Sequence, residues 1–264
     1  MKYNAMKITN LTYLNIFDDF NIILEKDKFL TISGPNSCGK TMLLKIIDGQ
    51  IHTNANITLF EKEYSEYSIT EVNAILKTVI PLEFTFYKKN VEEELYFQLS
   101  DKLLKSEKTQ KVKSIAKLFK LTKKLKCSPE ELSKKERIKL QLAISIISNP
   151  KILLVDDLSA YFNKKELIEL TEILKELKEK ENITVIMICS VLDCALLSDY
   201  LYIINEGKIV LEGIPVEIIE KDNILNKLGL NLPFMMDLSV KLRDYDLITD
   251  IELDMQRMID RLWN

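Results

Sequence analysis

Residues 34–41 read Gly-Pro-Asn-Ser-Cys-Gly-Lys-Thr, a full match to the spacing G-x-x-x-x-G-K-[ST]. Glycines at 34 and 39 permit backbone dihedrals that a side chain forbids. The stretch Gly34, Pro35, Asn36, Ser37, Cys38, Gly39 can therefore fold its N–H groups onto phosphate oxygens, at the positive end of a following helix. Lys40 is expected to reach the β- and γ-phosphates of a nucleoside triphosphate, and the Thr41 hydroxyl to hold Mg²⁺. Met42 closes this nucleotide-binding stretch. Far downstream, four apolar residues, Ile152, Leu153, Leu154 and Val155, run into Asp156 and Asp157. A buried strand ending in two carboxylates supplies the remaining parts: Asp156 to hold Mg²⁺ through water opposite Thr41, and Asp157 to orient an attacking water. A glycine-punctuated turn would give the loop without a ligand, and an Asp-Asp pair can merely cap a turn.

The elements that must position these residues are legible on either side. Residues 28–33 read as a buried strand entering the loop, and residues 42–47 as a helix ending at Gly49. Short strands are expected over 6–9, 20–24 and 56–60. Residues 64–74 are mixed, and residues 75–81 read as a further central strand. A helix starts at Val91, with Glu92, Glu93 and Glu94 in the first turn, where negative charge suits the helix dipole. Residues 101–126 are Lys-rich, with Val112, Ile115, Ala116, Leu118, Phe119 and Leu121 at helical spacing, and read as a solvated amphipathic helix. Ser133 caps a helix running to about Ser148. A long helix over 164–180 and a second buried strand over 183–188 follow. Asn205-Glu206-Gly207 then turns a hairpin, and a mostly helical tail covers 222–264. Strands alternating with helices argue an α/β fold with a mainly parallel sheet.

Composition narrows the class. The 264 residues, 47% hydrophobic, suit one large domain or one domain with a small appendage. A net charge of -3 leaves no basic footprint, so no nucleic acid is expected as main partner. The cysteines Cys38, Cys127, Cys189 and Cys194 lack metal-ligand spacing and read as reduced thiols of a cytosolic protein. The first seven residues do not read as a signal peptide, and no apolar run approaches membrane-spanning length. A soluble chain is expected, one that serves a membrane only through partners.

The order of these motifs resembles the ATP-binding cassette (ABC) family across essentially the whole chain. Residues 34–41 are followed by Leu132-Ser133-Lys134-Lys135-Glu136 in the signature position, then by residues 152–157, the 205–210 hairpin and Glu212-Gly213. Val91-Glu92-Glu93-Glu94-Leu95-Tyr96-Phe97 and residues 228–234, with Leu238, Lys241 and Leu242, resemble its energy-coupling-factor (cobalt and vitamin importer) branch. The resemblance implies a P-loop NTPase of ABC type, with an antiparallel β subdomain and a helical subdomain at about 88–148. The ATP-binding domain would cover 1–221 and a short helical extension 222–264. It implies ATP and Mg²⁺ as ligands, and a head-to-tail dimer with a second, more intact cassette. It also implies a transmembrane coupling subunit met near residues 82–87, and a separate substrate-binding membrane protein. The location implied is cytoplasmic, peripheral on the inner face of the cell membrane.

The departures from the family pattern are specific. Where the family has Leu-Ser-Gly-Gly-Gln, this chain keeps Leu132 and Ser133 but carries Lys134, Lys135 and Glu136. The catalytic glutamate is replaced by Asp157, the switch histidine by Ser190, and the D-loop aspartate by Asn163. No glutamine stands near Ile80, Pro81 and Leu82, and Met42 replaces a hydroxyl residue. Tyr13 is the candidate for adenine stacking. The expectation is retained ATP binding with weakened hydrolysis, since loss of one positioned base alone costs roughly 10²–10⁴-fold. The alternative from another class is a non-catalytic, ATP-dependent switch or scaffold.

Overall fold

The computed structural model describes residues 3–263. In chain order the elements are β1 (Asn4–Tyr13), β2 (Phe17–Glu25), β3 (Phe29–Ser33), α1 (Lys40–Ile47), β4 (Asn56–Leu59), β5 (Lys62–Glu63), α2 (Ile69–Ile75), β6 (Leu76–Val79) and α3 (Val91–Phe97). There follow α4 (Lys105–Leu118), α5 (Lys134–Ile147), β7 (Ile152–Val155), α6 (Lys164–Glu181), β8 (Thr184–Ile188), α7 (Leu192–Ala195), β9 (Tyr200–Asn205) and β10 (Lys208–Gly213). The chain closes with α8 (Pro215–Ile219), α9 (Asp222–Lys227), α10 (Phe234–Asp244) and α11 (Met255–Trp263).

Two sheets result. One is antiparallel, in the order β2-β1-β4-β5; the other has the order β10-β9-β3-β8-β7-β6 and is parallel except for β10. Strands β3, β7 and β8 are buried at every residue, as strands covered on both faces must be. Their side chains divide with the period of two that a strand imposes. Leu30, Ile32, Ile152, Leu154, Ile186 and Ile188 join a core with α1 and the antiparallel sheet. Phe29, Leu153, Val155, Val185 and Met187 join a second core with α3, α4, α5 and α6.

Strand β6 corrects the expectation for residues 75–81. It is not central but lies at the sheet edge, paired only with β7. An apolar run marks burial, while strand order is set by pairing between distant segments. The mixed stretch 64–74 resolves into a 3₁₀ turn and α2, the latter started by a Ser68–Glu71 capping box. Helix α4 is the solvated basic helix expected: Val112, Ile115 and Ala116 are buried, while Phe119 and Leu121 bury just beyond its end. The tail is helical, and its helices do not stand apart. Leu225, Met236 and Val240 share a core with Leu201 and Ile203 of β9 and with Leu192 and Ala195 of α7.

Candidate functional site

Parallel register brings the site together. Ile32 of β3 faces Ile188 of β8, and Val155 of β7 faces Met187. The residues that leave these strands therefore meet at one carboxyl edge of the sheet, where open α/β sheets place ligands. They are the loop at 34–39, Asp156 with Asp157, and Ser190.

The loop needs its glycines. A Cβ on Gly34 would lie 2.0 Å from the Ile204 carbonyl oxygen, and one on Gly39, at φ 100°, 2.6 Å from Ile16 Cγ2. Ser37 itself takes a left-handed φ of 64°. Helix α1 has Gly39 as its N-cap, with no side-chain cap and no acidic residue in the first turn. Its terminal N–H groups are left for a ligand. Lys40 is 8% exposed, and its ammonium donates to the carbonyls of Gly34 at 2.8 Å and Pro35 at 2.7 Å. The Cys38 thiol, also buried, lies beneath it at 3.7 Å.

The Thr41 hydroxyl donates to Asp156 Oδ1 at 3.1 Å, and the same oxygen accepts the Asp157 N–H at 2.9 Å. Burial pushes the Asp156 carboxyl above the usual carboxylate range. The Asp157 and Glu83 carboxylates add to that, while the bonds from Asp157 N–H and Thr41 oppose it. A hydroxyl and a carboxylate side by side are the hard oxygen donors Mg²⁺ takes, and the glycine cradle leaves room for phosphate. The residues present fit both ligands. The Asp157 carboxylate is engaged on both oxygens. Oδ1 accepts the Ser159 N–H at 2.8 Å, and Oδ2 accepts the Ser190 N–H at 3.1 Å as well as the Ser190 hydroxyl.

A cleft of about 430 Å³ opens over this group, walled by Ile16, Ser37, Lys40, Thr41, Asp157 and Ser190 among others. Ile16 escaped the sequence reading; it carries no motif and reaches the cleft only because the β1–β2 turn folds over Gly39. Tyr13 pairs with Phe17 at the end of β1 and packs half-buried against the core, outside the cleft wall. Met42 is half-buried and lines the cleft. Exposed His52 lines a different cleft, beside the end of α1.

None of Leu132, Ser133, Lys134, Lys135 and Glu136 lines this cleft. Leu132 is buried, and Ser133 caps α5. The Ser133 hydroxyl accepts the Glu136 N–H at 3.3 Å. The Glu136 carboxylate accepts both the Ser133 N–H at 2.9 Å and its hydroxyl at 2.8 Å. The bond from the Ser133 backbone, then that from its hydroxyl, holds the Glu136 carboxyl below the usual range, with Lys124 at 3.2 Å assisting. Lys135 swings away to Glu166 at 2.6 Å. Glu166 also completes a capping box with Asn163, the N-cap of α6. Exposed Ser133 and Lys134 thus flank a helix end that the chain satisfies by itself.

Among the described residues no helix is long and apolar enough to cross a membrane, no three or more His, Cys, Asp or Glu side chains gather as a metal site, and the cysteines are free.

Comparison with known proteins gives one family. The model of the family described as ABC transporter matches residues 17–160. The energy-coupling factor transporter ATP-binding protein EcfA1 of Mycoplasmopsis pulmonis is 26% identical over 94% of this chain and 97% of its own length. EcfA of Pediococcus pentosaceus is 25% identical over 96% of this chain and 94% of its own. Among solved structures, cbiO1 of Clostridium perfringens, part of the ABC transporter complex cbiONQ, superposes with a TM-score of 0.73 at 21% identity, over 88% of this chain and 97% of that one. A bacterial Atm1-family ABC exporter with ATP bound gives 0.73 at 15% identity, over 87% of this chain and 42% of that one. These likenesses establish the α/β P-loop fold.

Proposed function

Because the chain belongs to the ABC transporter family, we propose that it is the ATP-binding subunit of an energy-coupling-factor-type importer. The observation that carries the nucleotide part is the Thr41–Asp156 hydrogen bond. It joins the phosphate loop to the end of β7 beside a helix N-terminus that no side chain caps. The near full-length similarity to energy-coupling factor ATP-binding proteins supports the importer part.

In this reading residues 34–42 hold the triphosphate of ATP. Lys40 exchanges two loop carbonyls for β- and γ-phosphate oxygens, a stronger, charge-assisted pairing. Thr41 and Asp156 hold Mg²⁺, which when bound neutralises charge on the phosphates. Asp157 orients water, and Ser190 keeps its carboxylate fixed. Because both Asp157 oxygens already accept protein donors, few lone pairs are left to orient a water, and hydrolysis here is weak. Leu132, Ser133, Lys134, Lys135 and Glu136 face the nucleotide of a second, more intact cassette in a head-to-tail dimer. That dimer docks on a transmembrane coupling subunit through residues 82–87, alongside a substrate-binding membrane protein. The chain is then peripheral on the cytoplasmic face of the membrane. Residues 1–221, with a helical subdomain at about 88–148, form the ATP-binding domain, and 222–264 a helical extension.

Affinity purification of the tagged chain from its native membranes in mild detergent tests this. Recovery of a transmembrane subunit and a second cassette is the expected result. Recovery of the chain alone, still binding ATP, would replace the importer with a soluble switch or scaffold. The self-satisfied signature would also suit that second reading.

A further inference from the structure

A fully buried acid, Glu94, lies outside the nucleotide site, on the first turn of α3. Its neighbours there behave as charges near a helix start should. Glu92 pairs with Lys126, and Glu93 bonds with the N-cap Asn90. Glu94 instead points inward, on the same helix face as buried Val91 and Leu95. Its Oε1 accepts the backbone N–H groups of both Tyr87 and Lys88. Its Oε2 is buried with no hydrogen-bond partner among the described residues. The hydrogen bonding of this carboxylate is thus directed wholly at the segment between β6 and α3.

That segment, residues 80–90, has no helix or strand of its own. Near its start, Glu83 pairs with Lys45 of α1 at 3.0 Å. Near its end, Lys88 lies 3.8 Å from the centre of the Phe97 ring of α3. Phe84 and Phe86, with ring centres 5.1 Å apart, pack half-buried against the helical core, while Leu82 and Tyr87 are exposed. The segment is a strap tied to α1 through Glu83 and to α3 through Lys88, with Leu82 and Tyr87 exposed along it. A buried charge is costly unless it is fully paired. A carboxylate at this place, where Leu or Val would pack, is explained by the two N–H groups it gathers.

We infer that Glu94 is a positioning residue, whose carboxylate latches the Tyr87–Lys88 turn to α3 and so fixes the face that residues 82–87 present to the transmembrane subunit. The latch stands on the geometry above; the docking half rests on the importer reading. Amide hydrogen exchange on the full chain tests the first. In Glu94→Ala the Tyr87 and Lys88 amides exchange about tenfold faster or more. Val91 and Glu92, bonded to the carbonyls of Cys127 and Leu125, keep their protection, and ATP affinity is unchanged. Glu94→Gln, which keeps a carbonyl oxygen in place, restores protection. Should Glu94→Ala fail to fold, Glu94→Asp, one methylene shorter, shows the same selective exposure. Wild-type exchange in both Glu94→Ala and Glu94→Asp overturns the latch. So does a loss spread evenly over α3 and the nucleotide site that Gln does not rescue, the mark of a mere core filler. Co-purification tests the second half: recovery of the transmembrane subunit falls about tenfold in Glu94→Ala and returns in Glu94→Gln. If the wild-type chain recovers no such subunit, the importer reading fails while the exchange result still decides the latch.

Discussion

Two helices of this chain begin at the stretches proposed above to meet nucleotide, and their N-termini differ. Helix α1 starts at Gly39, bare of any side-chain cap and with no acid in its first turn. Helix α5 starts at Ser133 with a complete capping box, and the Glu136 carboxylate bonds back to the residue that opens the helix. The positive end of a helix dipole attracts an anion in either case. At α1 the anion must come from outside, and at α5 the chain supplies it. Near Ser133, Lys124 pairs with Glu136 and Lys135 with Glu166. A motif can therefore keep its serine and its helix yet have its donors already engaged, whereas in the phosphate loop Lys40 donates to the carbonyls of Gly34 and Pro35.

Each side of that contrast can be broken by substitution. The largest effect is expected from Lys40→Ala, which removes the one charged donor of the loop. ATP affinity, read by calorimetry, should fall about 10²–10³-fold, the scale of removing a single preorganised donor. Unchanged affinity would mean that residues 34–42 are not the nucleotide site. Next comes the combined variant Asp157→Glu, Ser190→His, Lys134→Gly, Lys135→Gly, which should raise phosphate release about 10²-fold. No gain in any pairing would show that these residues do not limit turnover.

A third change separates stability from function. Burial raises the Asp156 carboxyl, so its folded-state pKa lies above the unfolded value. Such a group favours folding at low pH, and that contribution is lost as pH rises through the folded pKa. At neutral pH the buried charge is a cost. Asp156→Asn keeps an oxygen for Thr41 and for the Asp157 N–H but drops the charge. It should raise the melting temperature by about 2–4 °C while abolishing the dependence of ATP affinity on Mg²⁺. A lower melting temperature would contradict the burial argument. The smallest effect belongs to Ser133→Ala, which should cost about 1 kcal/mol of stability through the lost cap. A melting curve identical to wild type would mean that the box contributes nothing.

What the sequence disclosed follows the same division between local and distant. Residues 34–41 were legible because the whole motif lies within one short stretch of chain, and β3, β7 and β8 because burial of every residue leaves mostly apolar runs. The Ser133–Glu136 box also follows the short pattern of a capping box. The edge position of β6 was not legible, since it depends on which distant strand takes the neighbouring place. The tie from Lys135 to Glu166 crosses 31 positions, and no local pattern announces it. Glu94 read as a dipole partner like Glu92 and Glu93, because only the path of residues 80–90 decides which of the three turns inward.

The shared core of α7, β9 and the tail bears on how the molecule is made. A ribosome releases the phosphate loop before α7 and the helices that back it, and domains generally begin folding from the N-terminal side during synthesis. Ser190 stands two residues before the short α7, whose Leu192 and Ala195 are backed by Leu225, Met236 and Val240. Until residue 240 has emerged, the turn that holds Asp157 from the far side lacks that backing. The nascent chain can thus assemble its phosphate grip before the neighbouring carboxylate is set, and the cleft is completed only after α10 has emerged.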